Sequence, residues 1–285
     1  MERRPGADRP GRRARRSGGR SGGGVRFYGF SPRAALVGKY LDLRPGDVVL
    51  EIGPGSGNTA REVVGRAAGY WGADISEETV RSLKEAFGEK NNVRFVAADA
   101  CGNGCLGRTF DRVFSMDTLE HVRDARAFFR FAARHLAPGG TALVVFPNER
   151  EKEEKTHGVT RFSTREELEE TVRAAGFEVE KLIEVRDSAW HRAMRAVLWK
   201  GPREVVLRVV RGSQAARATR DTDIYGLTVS FRLNERGGVV RNAAAAWARF
   251  AEGAARIFPP FRTRPAGAEI AGRRLLLRLR KPPRV

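Results

Sequence analysis

Between residues 48 and 185 the chain alternates short runs of apolar, often β-branched side chains with longer stretches in which apolar residues recur every three or four positions. Short, continuously apolar runs suit strands buried on both faces, and the 3.6-residue period suits helices that cover them. Strands are expected at 48–52, 70–75, 93–97, 112–115, 141–146 and 177–185, with a last one at 270–279. Helices are expected at 58–65, 77–85, 125–135 and 164–175. This rhythm predicts an α/β fold, a doubly wound, mostly parallel seven-stranded sheet with crossover helices. Local signals agree: Ser31 and Pro32 open a helix reaching Leu41, and Arg44-Pro45-Gly46-Asp47 reads as a turn. Pro138-Gly139-Gly140 turns into the fifth strand, and Ser163 or Thr164 with Glu166 and Glu167 starts a helix.

The rhythm breaks after residue 185. Helical stretches at 188–200 and 203–211 flank Gly201-Pro202, a β-rich run covers 224–233, and a helix is expected at 240–258. If the last strand pairs with 177–185, residues 186–268 form a helical insertion before it. Residues 1–24 alternate Arg, Gly and Ser with hardly any apolar side chain, so they read as a disordered arm, with order beginning near Phe27, Tyr28 and Phe30. The expected organisation is therefore an arm at 1–24, a core at 25–185, a basic amphipathic insertion at 186–268, and a final strand and tail at 269–285.

Charge sharpens this division. The 285 residues carry a net +19, with 41% hydrophobic and 31% charged residues, a soluble globular composition. Residues 1–24 hold eight Arg against two acidic residues, and residues 186–285 hold 22 basic against 7 acidic ones. Residues 25–185 hold 23 basic and 25 acidic ones. The basicity belongs to the two ends. Two cysteines, Cys101 and Cys105, make no disulfide framework, no apolar run is long enough to cross a bilayer, and no signal-peptide core opens the chain. A reducing cytoplasmic setting is expected.

The densest chemistry lies in Glu51-Ile52-Gly53-Pro54-Gly55-Ser56-Gly57, which follows an apolar strand and precedes a helix. Glycines there let the backbone turn and approach a ligand, and the helix start offers unpaired amides. That combination grips a nucleoside-bearing cofactor at the carboxyl end of a strand. The segment from Gly55 to Ala60 also fits a dinucleotide fingerprint, with Asp74 near the distance of a ribose-binding acid. On this loop alone a NAD-dependent oxidoreductase stays open.

The glycine block, Asp74 in Gly72-Ala73-Asp74-Ile75, Asp99-Ala100, the stretch Phe110 to Val122 with Met116-Asp117 and Leu119-Glu120-His121, and His135-Leu136-Ala137-Pro138-Gly139-Gly140 together resemble the class I S-adenosylmethionine-dependent methyltransferases, in order and spacing. Leu119-Glu120-His121-Val122 and the segment from His157 through Arg161 to Leu168 look most like a small-molecule branch that includes quinone-biosynthesis methyltransferases. The final strand from Arg274 is similar to that branch's last strand. The resemblance covers residues 27–185 and fades between 186 and 268. It implies a Rossmann-like fold, S-adenosylmethionine as cofactor, no metal, and a small, lipid- or quinone-like methyl acceptor.

The resemblance also implies roles. Gly53, Gly55 and Gly57 would let the backbone approach the cofactor, and Glu51 would orient the loop and the amino group. Asp74, beside Ile75, would accept the ribose hydroxyls, as an acceptor-only carboxylate suits a vicinal diol. Asp99 and the Ala100 backbone would receive the adenine amino group, while Met116 and Asp117 would face the methionyl end. The protein's task is to align a nucleophile with an activated methyl group and exclude water. His121 is the first candidate for a general base or acceptor contact, with His157 and Arg161 on the next loop and Arg161 suited to an anionic group or to bracing the loop. His135 is expected to cap helix carbonyls. Two thiols cannot complete a zinc site, so Cys101 and Cys105 are read as incidental.

Trp190, Met194, Val197 and Leu198, and again Trp247, Phe250, Ala251, Ala254, Ile257 and Phe258, line helical faces. Such faces suit a lid over the acceptor or, through 188–211 and 240–258, peripheral contact with the inner membrane surface. The alternative partner is RNA, tracked by the basic ends. Against it, no Asn/Asp-Pro-Pro-aromatic motif follows Asp117 and no RNA-binding module is recognisable.

Overall fold

A computed structural model of the chain describes residues 26–28, 32–148, 160–194, 229–231, 253, 257 and 260–283. In chain order these form β1 (Arg26–Tyr28), α1 (Pro32–Tyr40), β2 (Val48–Ile52), α2 (Asn58–Val63), β3 (Gly69–Asp74), α3 (Glu77–Phe87), β4 (Val93–Ala97) and β5 (Phe110–Met116). A 3-10 turn at Leu119–His121 follows, then α4 (Ala125–His135), β6 (Leu136–Asn148), α5 (Arg165–Ala174), β7 (Glu178–Asp187), α6 (Ala189–Met194), β8 (Val229–Phe231), β9 (Phe261–Pro265) and β10 (Arg273–Arg280).

One eight-stranded sheet runs β4-β3-β2-β5-β6-β10-β7-β9. The pairings from β4 through β6 are parallel, whereas β10 lies antiparallel between β6 and β7. The last strand thus pairs with 178–184, and everything between β7 and β10 leaves and rejoins the sheet around it. The eighth strand, β9, belongs to that excursion and caps the edge of β7. Its sequence, Phe-Arg-Thr-Arg-Pro, is short, charged and proline-ended, a form of edge that discourages further pairing, and it lacks the apolar run that marks a buried strand. A separate two-stranded ribbon joins β1 to β8.

Strand order reverses between β2 and β5. Both faces are covered: Leu50, Ile52, Val113, Val144, Phe146 and Leu277 pack with Phe128, Phe129 and Phe131 of α4 and with Leu168 and Val172 of α5. On the other face Val49, Tyr70, Phe114, Val145 and Leu276 pack with Leu36, Val37 and Tyr40 of α1, Val63 of α2, and Val80 and Leu83 of α3. Truncating one of the buried phenylalanines of α4 costs about 3–5 kcal/mol.

The helix starts are specified by side chains. The hydroxyl of Ser76 accepts from the Thr79 amide at α3, Asp124 from Ala127 at α4, and Thr164 from Glu167 at α5. Glu167 also accepts from the Ser163 amide, so Ser163 and Thr164 share the start of α5. Pro138-Gly139-Gly140 lies inside β6 and not before it. Phe110 pairs with Leu136 and Arg112 with Thr141, so the intervening residues bulge from the ladder, closed by hydrogen bonds to Lys281. The final strand begins at Arg273, because the turn at Ile270 to Gly272 is held by Ser163 and Asn148. Of the expected insertion helices, the part up to Met194 is α6; 203–211 lies outside the described residues, as does 240–258 apart from Gly253 and Ile257.

Candidate active site

In an open α/β sheet the carboxyl ends of the strands flanking the order reversal form a crevice. The segments leaving β2, β3 and β4 there carry the glycine loop, Asp74 and Asp99. Gly53, Gly55 and Gly57 all have left-handed backbones, with φ of 74°, 51° and 76°. A Cβ on Gly53 would lie 2.2 Å from Thr118 Oγ1, and one on Gly57 would lie 2.6 Å from Leu83 Cδ2. A Cβ on Gly55 would meet no atom within 4 Å. The outer two glycines are therefore demanded by packing beneath the loop, and the middle one faces open space. Gly57 is also the N-cap of α2 and supplies no side chain to cap it.

Asp74 braces this loop: its Oδ2 accepts from the Gly55 amide at 3.3 Å and its Oδ1 from the Ser76 amide at 3.0 Å. Beside it Ile75 is 71% exposed, an unusual state for a large apolar side chain at a strand end. Asp99 is exposed and accepts from the Cys101 amide at 2.8 Å, which shapes the turn that carries Ala100.

Glu51 is buried and accepts a short hydrogen bond from the Tyr70 hydroxyl. Burial pushes its carboxyl up to about 8; the Tyr70 bond works against that rise, and the charge of Asp74 adds to it. Tyr70 is raised too, by burial and then by Glu51, so the phenol keeps its proton and donates. Glu51 is thus a buried carboxyl that holds its proton more tightly than usual beneath the loop.

The ends of β5 and β6 carry the other half. Met116 is buried and Asp117 follows with φ of 50°, its amide donating to Val145 O at 2.8 Å. The Asp117 carboxylate is held between two guanidinium groups, Arg33 from α1 and Arg274 from β10, the latter at 2.5 Å. Thr118 sits within 3.4 Å of the carbonyls of Ile52, Gly53 and Met116, which ties this segment to the glycine loop. In the 3-10 turn Glu120 is buried, and its Oε2 has no hydrogen-bond partner. Burial, then the charge of Asp117, raises its carboxyl to about 8. Its Oε1 lies 3.8 Å from Nε2 of His121, whose side chain is 53% exposed.

The next chain segment is sewn onto this turn. Thr160 donates its amide to Glu120 O at 3.2 Å and its hydroxyl to Val122 O at 2.5 Å. Two residues on, buried Asn148 at the end of β6 accepts from the Phe162 amide and donates to the carbonyls of Phe162 and Ile270. Arg161 stands between these anchors, and its Nε is buried without a hydrogen-bond partner.

The structure thus brings Glu51, the three glycines, Asp74, Ile75, Asp99, Ala100, Met116, Asp117, His121 and Arg161 to one edge of the sheet. His157 lies outside the described residues. His135 is elsewhere: fully buried, its Nδ1 is 2.9 Å from Phe131 O, and its Nε2 accepts from the Leu106 amide at 2.9 Å. It caps a helix carbonyl as expected and also pins the Cys101–Gly107 loop as a neutral imidazole, with its pKa lowered by burial. Both cysteines are free, and among the described residues no group of His, Cys, Asp or Glu is arranged to hold a metal ion. Sequence reasoning missed Arg33, Thr118, Tyr70 and Asn148 as parts of the site, and took Glu120 and Arg274 only as parts of motifs. Each is an ordinary residue for a helix, strand or loop, and only the fold gives it a partner.

The sequence model of a family described as a methyltransferase domain matches residues 30–182, more than half of the chain. The chain belongs to the methyltransferase-domain family. Among its curated relatives, phosphoethanolamine N-methyltransferase 3 of Arabidopsis thaliana is 35% identical over 113 residues, 36% of this chain and 22% of that protein. Ubiquinone biosynthesis O-methyltransferase of Rhizobium johnstonii is 32% identical over 150 residues, 46% of this chain and 60% of that one. The chain therefore spans less than two thirds of the length of these relatives. A solved Haemonchus contortus phosphoethanolamine N-methyltransferase 2 shares the fold with a TM-score of 0.50 and 17% identity, covering 88% of this chain and 52% of that one. The [4+2]-cyclase SpnF shares it with a TM-score of 0.53 and 21% identity, covering 89% and 81%. A shared fold leaves the reaction to the site.

Proposed function

We propose that the protein transfers a methyl group from S-adenosylmethionine to a small-molecule acceptor, with a lipid- or quinone-like compound as the acceptor class. The observation that carries this reading is the glycine loop: packed from beneath at Gly53 and Gly57, open above Gly55, and set at the order reversal of the sheet between Asp74 and the Asp117 segment. These residues fit the cofactor. The open backbone at Gly55 admits its aminoacyl and ribose portion, Asp74 has lone pairs left for ribose hydroxyls, and exposed Ile75 covers an adenine face. Asp99 and the Ala100 backbone receive the adenine amino group.

When bound, S-adenosylmethionine supplies a methyl group already activated on a sulfonium. The protein then has to orient and dehydrate the reacting pair. Asp117, fixed by Arg33 and Arg274, presents a rigid wall beside Met116. His121, exposed at the acceptor side, takes the proton that an attacking hydroxyl or amine must lose, and buried Glu120 lies behind it. Curated relatives named for N-methylation and for O-methylation both support methyl transfer and leave the acceptor atom open.

The test begins with the cofactor. A ligand that binds the native state raises the unfolding midpoint. A rise with S-adenosylmethionine and none with NAD is expected, and the reverse would replace this reading with an oxidoreductase. Transfer of a labelled methyl group is then screened over lipid, quinone and RNA fractions, and label entering RNA alone would overturn the small-molecule acceptor. Peripheral membrane contact through 188–211 and 240–258 is part of the same proposal, checked by co-sedimentation with anionic vesicles. Among the described residues no helix is long and apolar enough to cross a membrane.

A further inference from the structure

The charges at the ends of β5 and β6 do not balance. One carboxylate, Asp117, lies between Arg33 and Arg274. The second carboxyl there, Glu120, is buried and holds its proton up to about pH 8, so at neutral pH it offers little negative charge. Arg161 carries a further guanidinium on the adjoining segment, one residue after Thr160, which is bonded to Glu120 O and Val122 O. Among the described residues no carboxylate pairs with this guanidinium, and its Nε is buried with no hydrogen-bond partner. A buried donor left unsatisfied costs about 1–3 kcal/mol, and more when the group is charged.

That guanidinium has a fixed base. Thr160 is tied by two hydrogen bonds to Glu120 O and Val122 O, and Phe162 is clamped by Asn148 while its ring packs edge-on against Phe146, with centroids 6.1 Å apart. A side chain mounted between two such anchors has already lost backbone freedom, so only its side-chain torsions remain to be ordered when it takes up a ligand. A planar guanidinium fork matches the paired oxygens of a carboxylate or phosphate.

We propose that Arg161 is the anchor for an anionic group, a carboxylate or a phosphate, on the methyl acceptor. This rests on the methyltransferase reading and narrows it. The acceptor is a bifunctional molecule with its nucleophilic oxygen, nitrogen or carbon at one end and an anion at the other. The Arg161 contact fixes the distance between them, and Arg33 and Arg274, committed to Asp117, contribute long-range attraction. The contact is a binding interaction made before and during transfer, so its loss appears mainly in acceptor affinity and not in turnover at saturation.

The experiment uses the full chain saturated with S-adenosylhomocysteine. Calorimetric titrations with phosphoethanolamine, 4-hydroxybenzoate and uncharged phenol separate a phosphate anchor from a carboxylate anchor and from no anchor. At least one anion is expected to bind more tightly than phenol. Arg161→Gln should weaken that anion at least about tenfold and leave phenol and S-adenosylhomocysteine unchanged, whereas Arg161→Lys should fall between, having charge without the fork. Should Arg161→Gln fail to fold, shown by loss of a cooperative unfolding transition, the Lys variant carries the comparison. Equal binding of anions and phenol, or an anion affinity that neither substitution lowers, overturns the proposal. Loss of S-adenosylhomocysteine binding by the unaltered protein would instead bring down the cofactor reading, so the two failures are distinguishable.

Discussion

The ends of β2, β3 and β4 take their ligand-facing groups from one continuous stretch, Glu51 to Ala100, whereas the ends of β5 and β6 collect theirs from α1, the 3-10 turn, the segment after β6 and the last strand. The first half works through backbone shape. Its glycines adopt left-handed conformations that other residues rarely take, and its carboxylates, Asp74 and Asp99, hold turns that keep amides in place. The second half works through charge: Asp117 is bonded to Arg274, 157 residues away, and to Arg33. Shape fixed by local sequence suits a constant ligand. A charge cluster assembled from distant elements can change with one substitution.

The largest expected effect comes from breaking the shape half. Gly53→Ala places a Cβ 2.2 Å from Thr118 Oγ1 at a φ of 74° and should lower stability by about 2–4 kcal/mol, with loss of cofactor binding. Gly55→Ala meets no atom and should cost only about 1 kcal/mol of stability. Its penalty should fall on S-adenosylmethionine affinity, measured by calorimetry. If both variants lose stability equally, the distinction between packed and ligand-facing glycines is wrong.

Next comes the charge half. Asp117→Asn leaves Arg33 and Arg274 facing each other across a neutral amide and should cost about 1–3 kcal/mol in denaturant unfolding, with less effect on cofactor affinity than Gly55→Ala. A variant as stable as the parent would show that the ion pairs are ornamental.

A smaller effect follows from pH, and it appears in both halves. Glu51 and Glu120 bind their protons more tightly in the folded protein than at the ordinary value of 4.5. The stability they contribute is therefore fully present below 4.5 and is lost as pH rises through about 8. His135 runs the other way. Its folded pKa lies below 6.5, so its contribution is full above 6.5 and is lost as pH falls through the lowered value. Midpoints recorded from pH 4.5 to 8 should fall more gently in Glu51→Gln and in Glu120→Gln, by on the order of 1 kcal/mol each. Identical slopes in parent and variants would mean that water reaches these carboxyls.

The smallest expected effect is none. Removal of residues 1–24, with their eight arginines, should leave S-adenosylmethionine affinity unchanged. A loss measured by calorimetry would show that cofactor binding draws on residues outside the stretch from Glu51 to Ala100.

Much of the fold was legible because both periodicities are strong. The strands at 48–52 and 93–97 and the helix at 125–135 match expectation, since each is bounded by a turn, a cap or a change of period. Strand β9 was not legible, because an edge strand needs no apolar run, and the extent of β6 was hidden by a glycine bulge that looks like a turn. At the site, the glycine loop and the acids at strand ends could be read because their spacing is local. Arg33 and Arg274 could not, because nothing near either residue in sequence names Asp117 as its partner.

The sequence by itself determined the order of strands and helices from β2 to β7, the position of the glycine loop, and the concentration of positive charge at the two ends. These follow from short-range sterics, hydrophobic period and composition, which act between neighbours along the chain. Only the tertiary structure decided that β10 inserts antiparallel between β6 and β7 and so brings Arg274 to Asp117. It also decided that Glu51 and Glu120 are buried deeply enough to hold their protons more tightly than usual and that, among the described residues, Arg161 has no carboxylate partner. Burial and ion pairing depend on which distant segments share a volume, and the sheet sets that.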